Sequence, residues 1–275
     1  MPGFLMHLVE GEMILNRLKN QINIPQTFTE EFMLGCILPD VTSDKERTHF
    51  RPLYQKYQIT KYPDMAAVYA LYKNQELSPI DLGILTHLQL DASYVTDFWQ
   101  HYFAFEDESG AFSVDIRHPL FVRLLKGQEV RIPLADFFSD KWFYGEYDRI
   151  NPVLNRRFHP FVPDHVPYRT EDIHIKECIP EDAEMIKTSL SAYIGTAEAI
   201  GSEDQAAFGS GNQNVFGSKN QAVGSGDQAT DFDTQNSPDN NCMTKVFPYK
   251  DIISFLQEQA DNYLAMPYMK NILCK

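Results

Sequence analysis

Leu82–Tyr94 reads LGILTHLQLDASY, an apolar run that carries His87 and Asp91 four residues apart. Ser78 and Pro79 stand before it as an N-cap and a first-turn proline, and no breaker follows until the acidic cluster at Glu106. The stretch therefore predicts one helix over roughly residues 79–103. Positions i and i+4 share a helix face, so an imidazole and a carboxylate project side by side from an apolar rod. A buried, unpaired carboxylate costs several kcal/mol, so Asp91 needs a compensating partner. Two readings meet that need: a metal ion with His87 as a second ligand, or a His–Asp hydrogen bond inside a helical core.

Upstream, apolar residues from Phe4 to Leu15 alternate with Glu10, Glu12, Asn16 and Arg17 in a helical pattern that ends before Pro25, with His7 in its first turn. Thr27, Thr29, Glu30 and Glu31 open a second helix. Its apolar run FMLGCIL stops at Pro39, and Gly35 within it permits close approach of another helix. Asp40 begins a polar loop that brings back an imidazole at His49. Two ligand types nine residues apart across a loop can converge on one point, although an aspartate at a helix end is also an ordinary cap. Residues 63–73 predict a third helix, beginning at the proline.

Downstream, the spacing predicts a helix over Ile132–Arg149, with Phe137, Phe138, Trp142, Phe143 and Tyr144 as a core-facing aromatic stripe. The Pro- and aromatic-rich segment from Asn151 reads as an extended cover in which His159 and His165 are weak ligand candidates. A helix follows from Pro180 to about Tyr193. Residues 195–241 hold degenerate octads, AIGSEDQA, AFGSGNQN and VFGSKNQA, then a shorter VGSGDQA. Each copy offers too little apolar surface to order a globular core, so the segment reads as a flexible insertion, with a small β-solenoid as the alternative. The amphipathic run DIISFLQEQADNYLAM after Tyr249 packs back on the body. The organisation is therefore one helical domain from 1–194 plus 242–275, interrupted by 195–241.

Across 275 residues, 43% are hydrophobic, enough for a substantial core. Lys+Arg 24 against Asp+Glu 38 gives a net charge of −14, which argues against nucleic acid or an anionic membrane as a passive electrostatic partner. Cys36, Cys178, Cys242 and Cys274 form no Cys-x-x-Cys pair and read as reduced thiols. With no signal-peptide pattern and no apolar run of membrane-spanning length, the expected location is the cytoplasm.

His7, GCILPD ending at Asp40, the D-K-x-x-x-H-F run ending at His49, and the helical pair His87 and Asp91 occur in one order. That order resembles the zinc-dependent phospholipase C family, in particular its small bacterial relatives that begin Met-Pro-Gly and lack a signal peptide. WFYGEYDRI at 142–150 is similar to a tyrosine-rich segment of those relatives. The resemblance implies an all-α, multi-helix phospholipase C-like fold around a zinc cluster, with His7, Asp40, His49, His87 and Asp91 as ligands. Asp91 would bridge two Zn²⁺ ions, with His7 on one side and His49 and His87 on the other, and Asp40 would serve as ligand and general base. The implied function is hydrolysis of a phosphodiester by metal-activated water. The substrate would be a phosphoester small molecule or a lipid headgroup.

The chain departs from that pattern at its Met-Pro-Gly start, where secreted members ligate zinc through an N-terminal tryptophan. It also lacks the further His…His-x-x-x-Glu site: His101 has no such continuation, and Glu146 offers only a lone carboxylate. At most two ions are expected. The alternative from another class is a non-catalytic helical interaction protein that keeps the fold and presents its insertion or acidic surface to a partner.

Overall fold

The computed structural model describes residues 2–42, 44–126, 130–163, 165–181 and 244–269. Its helices are α1 (Phe4–Lys19), α2 (Gln26–Gly35), α3 (Lys45–Thr48), α4 (Met65–Tyr72), α5 (Pro79–Ser93), α6 (Leu134–Phe137), α7 (Phe143–Phe158) and α8 (Tyr249–Leu264). Strands β1 (Phe103–Glu106), β2 (Phe121–Leu124) and β3 (Arg131–Pro133) stand between α5 and α6. The expected helix at Pro180–Tyr193 and the octads of 195–241 lie outside the described residues.

Helix α5 is the axis. A capping box starts it: Ser78 Oγ accepts from the Asp81 amide at 3.2 Å, and the Asp81 carboxylate accepts from the Ser78 amide at 2.9 Å. Asp81 Oδ1 also accepts from the amides of His174 and Ile175, at 2.8 and 3.0 Å, so the cap fastens the downstream covering segment to the helix. Beyond Ser93 the helical path continues as a π turn, Tyr94–Phe98, and a 3₁₀ turn, Trp99–His101, before the chain enters β1.

Helices α2 and α5 cross at a glycine contact. A Cβ on Gly35 would fall 2.1 Å from the Ile80 carbonyl oxygen, and one on Gly83 would fall 2.1 Å from the Phe32 carbonyl oxygen. Only hydrogen at both positions lets the two backbones touch. This proximity carries the Cys36 carbonyl, just past α2, to the side of His87.

Helix α8 lies against α1 and α5. Arg17 Nε meets Asp261 Oδ1 at 2.6 Å, and the Tyr263 hydroxyl donates to the Leu82 carbonyl at 2.5 Å. Buried Glu146 accepts from the amides of Lys245 and Phe247 at 2.8 and 3.1 Å, which holds the returning chain on the body. Trp99, Phe103, Phe137, Phe143 and Phe247 pack as one aromatic cluster, so Phe137 and Phe143 of the expected stripe are core, while Phe138 and Trp142 are half-buried and Tyr144 is exposed. No helix among the described residues is long and apolar enough to cross a membrane.

The structure corrects the all-α reading. The molecule is mostly helical but contains a three-stranded antiparallel sheet in the order β1-β2-β3, with Phe103 opposite Leu124 and Val122 opposite Ile132. Strands of three or four residues are too short to show a period-2 signal, and they form because Phe103, Phe105, Val122 and Ile132 all bury against the aromatic cluster. The expected helix over Ile132–Arg149 is also shifted. Ile132 lies in β3, α6 ends at Phe137, and α7 runs from Phe143 through Pro152 to Phe158. The proline, read in the sequence as part of an extended cover, is tolerated inside the helix at the cost of one backbone hydrogen bond.

Candidate metal centre

Four segments bring the five expected side chains to one place. His7 comes from α1, and Asp40 ends a 3₁₀ turn, Leu38–Asp40. His49 caps the C-terminus of α3, and His87 and Asp91 come from successive turns of α5. His49, His87 and Asp91 are completely buried, His7 nearly so, and Asp40 sits at the edge with its side chain 7% exposed.

The two oxygens of Asp91 face different histidines. Oδ1 lies 3.5 Å from His7 Nε2, while Oδ2 lies 3.2 Å from His49 Nε2 and 3.8 Å from His87 Nε2. Asp40 Oδ1 lies 3.5 Å from His49 Nε2. The rings of His7 and His87 stack with centroids 3.7 Å apart. Ligand atoms of His7, Asp40 and His87 form one compact group and those of His49, His87 and Asp91 a second, each with all atoms within 4.8 Å of one another. These groups could hold a metal ion.

Hydrogen bonds behind the rings decide which nitrogen faces inward. The Cys36 carbonyl can only accept, so His87 Nδ1, 2.8 Å away, carries a proton and turns the Nε2 lone pair to the centre. The Thr48 hydroxyl donates to the Pro39 carbonyl at 2.7 Å, which leaves its oxygen free to accept from His49 Nδ1 at 3.0 Å. His49 therefore also points Nε2 inward, and the two Nε2 atoms stand 3.4 Å apart. Two neutral imidazoles so oriented oppose lone pair to lone pair; either a proton on one ring or a cation between them removes the conflict. Both nitrogens of His7 and both oxygens of Asp91 lack a hydrogen bond of good geometry, although all are buried. Orphaned donors and acceptors of this kind, aimed at one point, fit a metal ion.

The titration behaviour follows from this packing. Burial, and then the charge of His7, push His87 down to about 3, so its ring is neutral and available as a ligand. Burial works against charge on His49 as well, but the nearby carboxylates of Asp40 and Asp91 outweigh it and raise its pKa. Asp91 is held well below the carboxylate range: burial opposes ionisation, yet the His49 and His7 imidazoles prevail. For Asp40, burial is again outweighed, by His49, His87 and Lys45 together.

Lys45, Thr48, the Cys36 carbonyl and Glu10 are parts of the centre that sequence reasoning missed. Lys45 Nζ sits 2.6 Å from Asp40 Oδ1, with its side chain 44% exposed, so this pair forms the open rim. Glu10, one turn along α1 from His7, is buried, and neither of its carboxylate oxygens has a hydrogen-bond partner among the described residues. Burial first, and the negative charge of Asp91 second, raise its pKa well above the ordinary value. Its spacing of three from His7 was a visible signal, since it shares a helix face with a candidate ligand. Thr48 and Cys36 left no signal, because their roles come from backbone approach.

Other candidates stand elsewhere. His101, His159 and His165 are exposed. Glu146 is occupied by Arg149 and the amides of Lys245 and Phe247, so it is no lone carboxylate free for an ion. Comparison with protein-family models, curated proteins and solved structures finds no match.

Proposed function

We propose that the chain is a zinc-dependent hydrolase of phosphoesters, phospholipase C-like in its ligand set, with His7, Asp40, His49, His87 and Asp91 holding up to two Zn²⁺ ions. The observation that carries this reading is the inward aim of the His49 and His87 Nε2 atoms, each fixed by a hydrogen bond behind the ring, onto an Asp91 whose buried oxygens accept no hydrogen bond. Three imidazoles and two carboxylates form a nitrogen–oxygen donor set that suits zinc. Bound there, the ions would lower the proton affinity of a water and offset negative charge on phosphoryl oxygens.

The chain's own residues supply the rest. Asp91, with one oxygen toward His7 and the other toward His49, is arranged to serve two cations at once. Asp40 is both ligand and proton acceptor for the attacking water, at the rim where a substrate can enter. Lys45 lowers Asp40's proton affinity in the resting pair and places a positive charge where an anionic phosphoester would arrive. Met6, Leu38, Ile84 and Leu88, on the same segments as the ligands, are buried, so the cluster is embedded in an apolar interior that limits water.

The test is metal content by mass spectrometry on untagged protein, with turnover of bis(p-nitrophenyl) phosphate. Chelation should abolish turnover and Zn²⁺ should restore it. Asp40→Asn should keep much of the metal and lose the activity, because an amide cannot accept the proton. Lys45→Met should move the acid limb of the pH–rate profile upward, since Asp40 then loses a charge that lowers its pKa. A zinc-loaded protein that cleaves no phosphoester, with metal content unchanged by Asp91→Asn, would leave the cluster as a structural contact of a non-catalytic protein.

A further inference from the structure

A neutral imidazole has a single lone pair on its ring nitrogens. When Nε2 gives that pair to an ion, Nδ1 carries a proton, and a buried ring has no solvent to donate it to. Two histidines of the centre meet this need from behind the ring: His87 through the Cys36 carbonyl at 2.8 Å and His49 through the Thr48 hydroxyl at 3.0 Å. His7 differs. Its Nε2 turns to Asp91 Oδ1 at 3.5 Å, the residue is 1% exposed, and its Nδ1 makes no hydrogen bond. The ring is stacked on His87 with centroids 3.7 Å apart, and stacking alone sets no tautomer.

Glu10 stands where the missing acceptor belongs. It follows His7 by three residues on α1, is 1% exposed, and has no hydrogen bond to either carboxylate oxygen. Residues i and i+3 share a helix face, with Cβ atoms roughly 5–6 Å apart. Side chains on a helix also lean toward its N-terminus, so Glu10 leans over the turn that carries His7. Electrostatics places it in the same neighbourhood. Behind burial, the Asp91 charge is the second cause that raises the Glu10 pKa; behind burial again, the Glu10 charge is the second cause that raises that of Cys36, whose carbonyl backs His87. His7 and Glu10 are the residues of α1 with orphaned buried side-chain atoms. One needs an acceptor and the other offers two, so pairing them relieves both desolvation penalties. The two groups do not make a hydrogen bond in the structure, and rotation about the side-chain bonds of Glu10 is enough to span a separation set by one helical turn.

We infer that Glu10 is the positioning residue of His7: a carboxyl oxygen of Glu10 accepts the hydrogen bond of His7 Nδ1–H and holds the ring with Nε2 toward Asp91. A carboxyl group keeps an acceptor oxygen whether or not it is protonated, so the pairing requires no particular charge on Glu10. Each of the three imidazoles then has a partner behind its ring. The inference deepens the proposed zinc reading and rests on it for the second of the two readouts below, but not for the first.

The test compares the full wild-type chain with Glu10→Leu and Glu10→Gln. The first readout is the ring-nitrogen resonances of His7 in two-bond proton–nitrogen NMR spectra, recorded in chelator and assigned by their loss in His7→Asn. The Nδ1 resonance should move in Glu10→Leu, which has no acceptor, and stay near its wild-type place in Glu10→Gln, whose amide oxygen still accepts. The second readout is zinc affinity by competition with a chromogenic chelator. It should fall about 10–100-fold in Glu10→Leu and stay near the wild-type value in Glu10→Gln. A glutamate that only fills space would behave otherwise: leucine in its place would keep or raise the melting temperature and change neither readout. An unmoved Nδ1 resonance in Glu10→Leu overturns the inference, and so does an unchanged zinc affinity in a wild type that binds zinc. A wild type that takes up no zinc refutes the zinc reading instead, and the resonance then decides the pair alone. Circular dichroism checks the fold; if the branched leucine disturbs it, Glu10→Met, as long as glutamate and without its oxygens, gives the same two readouts.

Discussion

Replacing Asp91 with asparagine removes one negative charge and preserves the shape of a side chain that is fully buried between His7, His49 and His87. A unit charge interacting with a cation at about 4 Å in an effective dielectric of about 20 contributes roughly 4 kcal/mol. That corresponds to a loss of about a thousandfold in metal affinity. The magnitude can be read without any substrate. At free zinc about one hundred times the dissociation constant, binding should stabilise the wild type by about 2.7 kcal/mol, a rise in melting temperature of roughly 5–11 °C for a domain of this size. At the same zinc concentration Asp91→Asn should show essentially no rise. The comparison is made within each protein, zinc against chelator. Any change caused by the asparagine in the metal-free fold therefore cancels. Differential scanning fluorimetry and metal content by mass spectrometry give two readouts. If zinc shifts neither protein, or both equally, Asp91 does not hold a cation and the reasoning from its orphaned oxygens fails.

Three further outcomes follow from the same geometry. Thr48→Val leaves His49 Nδ1 without its acceptor, so zinc affinity should fall about 10–100-fold with helix content unchanged, measured by competition with a chromogenic chelator. Gly83→Ala puts a methyl group into the Phe32 carbonyl and should cost at least about 1–3 kcal/mol in chemical denaturation; an unchanged midpoint would mean that α2 and α5 are not in backbone contact. The third is pH dependence without metal. His87 has a folded pKa of about 3 against an ordinary 6.5, so the unfolded chain takes up a proton that the folded chain refuses. Its contribution is complete above about 6.5 and lost as the pH falls toward 3, so the acid slope of the melting temperature should flatten in His87→Asn. His49 has the opposite sign: its raised folded pKa adds stability at low pH that fades as the pH rises through that value.

The sequence alone determined which residue types could meet and on which kind of element. Ser78-Pro79 dictated the start of α5, the i, i+4 spacing put His87 and Asp91 on one face, and Gly35 signalled a close helix contact; all three depend on local backbone geometry. The order His7, Asp40, His49, His87, Asp91 named the five side chains that the fold brings together. Tertiary structure decided what local pattern does not encode. The three short strands form because distant aromatic residues bury them, and α7 continues through Pro152 where the sequence suggested a boundary. The inward tautomers of His87 and His49 depend on the Cys36 carbonyl and the Thr48 hydroxyl, and the rim charge depends on Lys45 meeting Asp40. The burial of Glu10 and the exposure of Leu53 and Phe112 depend on whether a side chain meets protein or solvent. Burial and hydrogen bonding between segments far apart in the chain are products of packing, and a linear pattern specifies only the faces that packing then pairs.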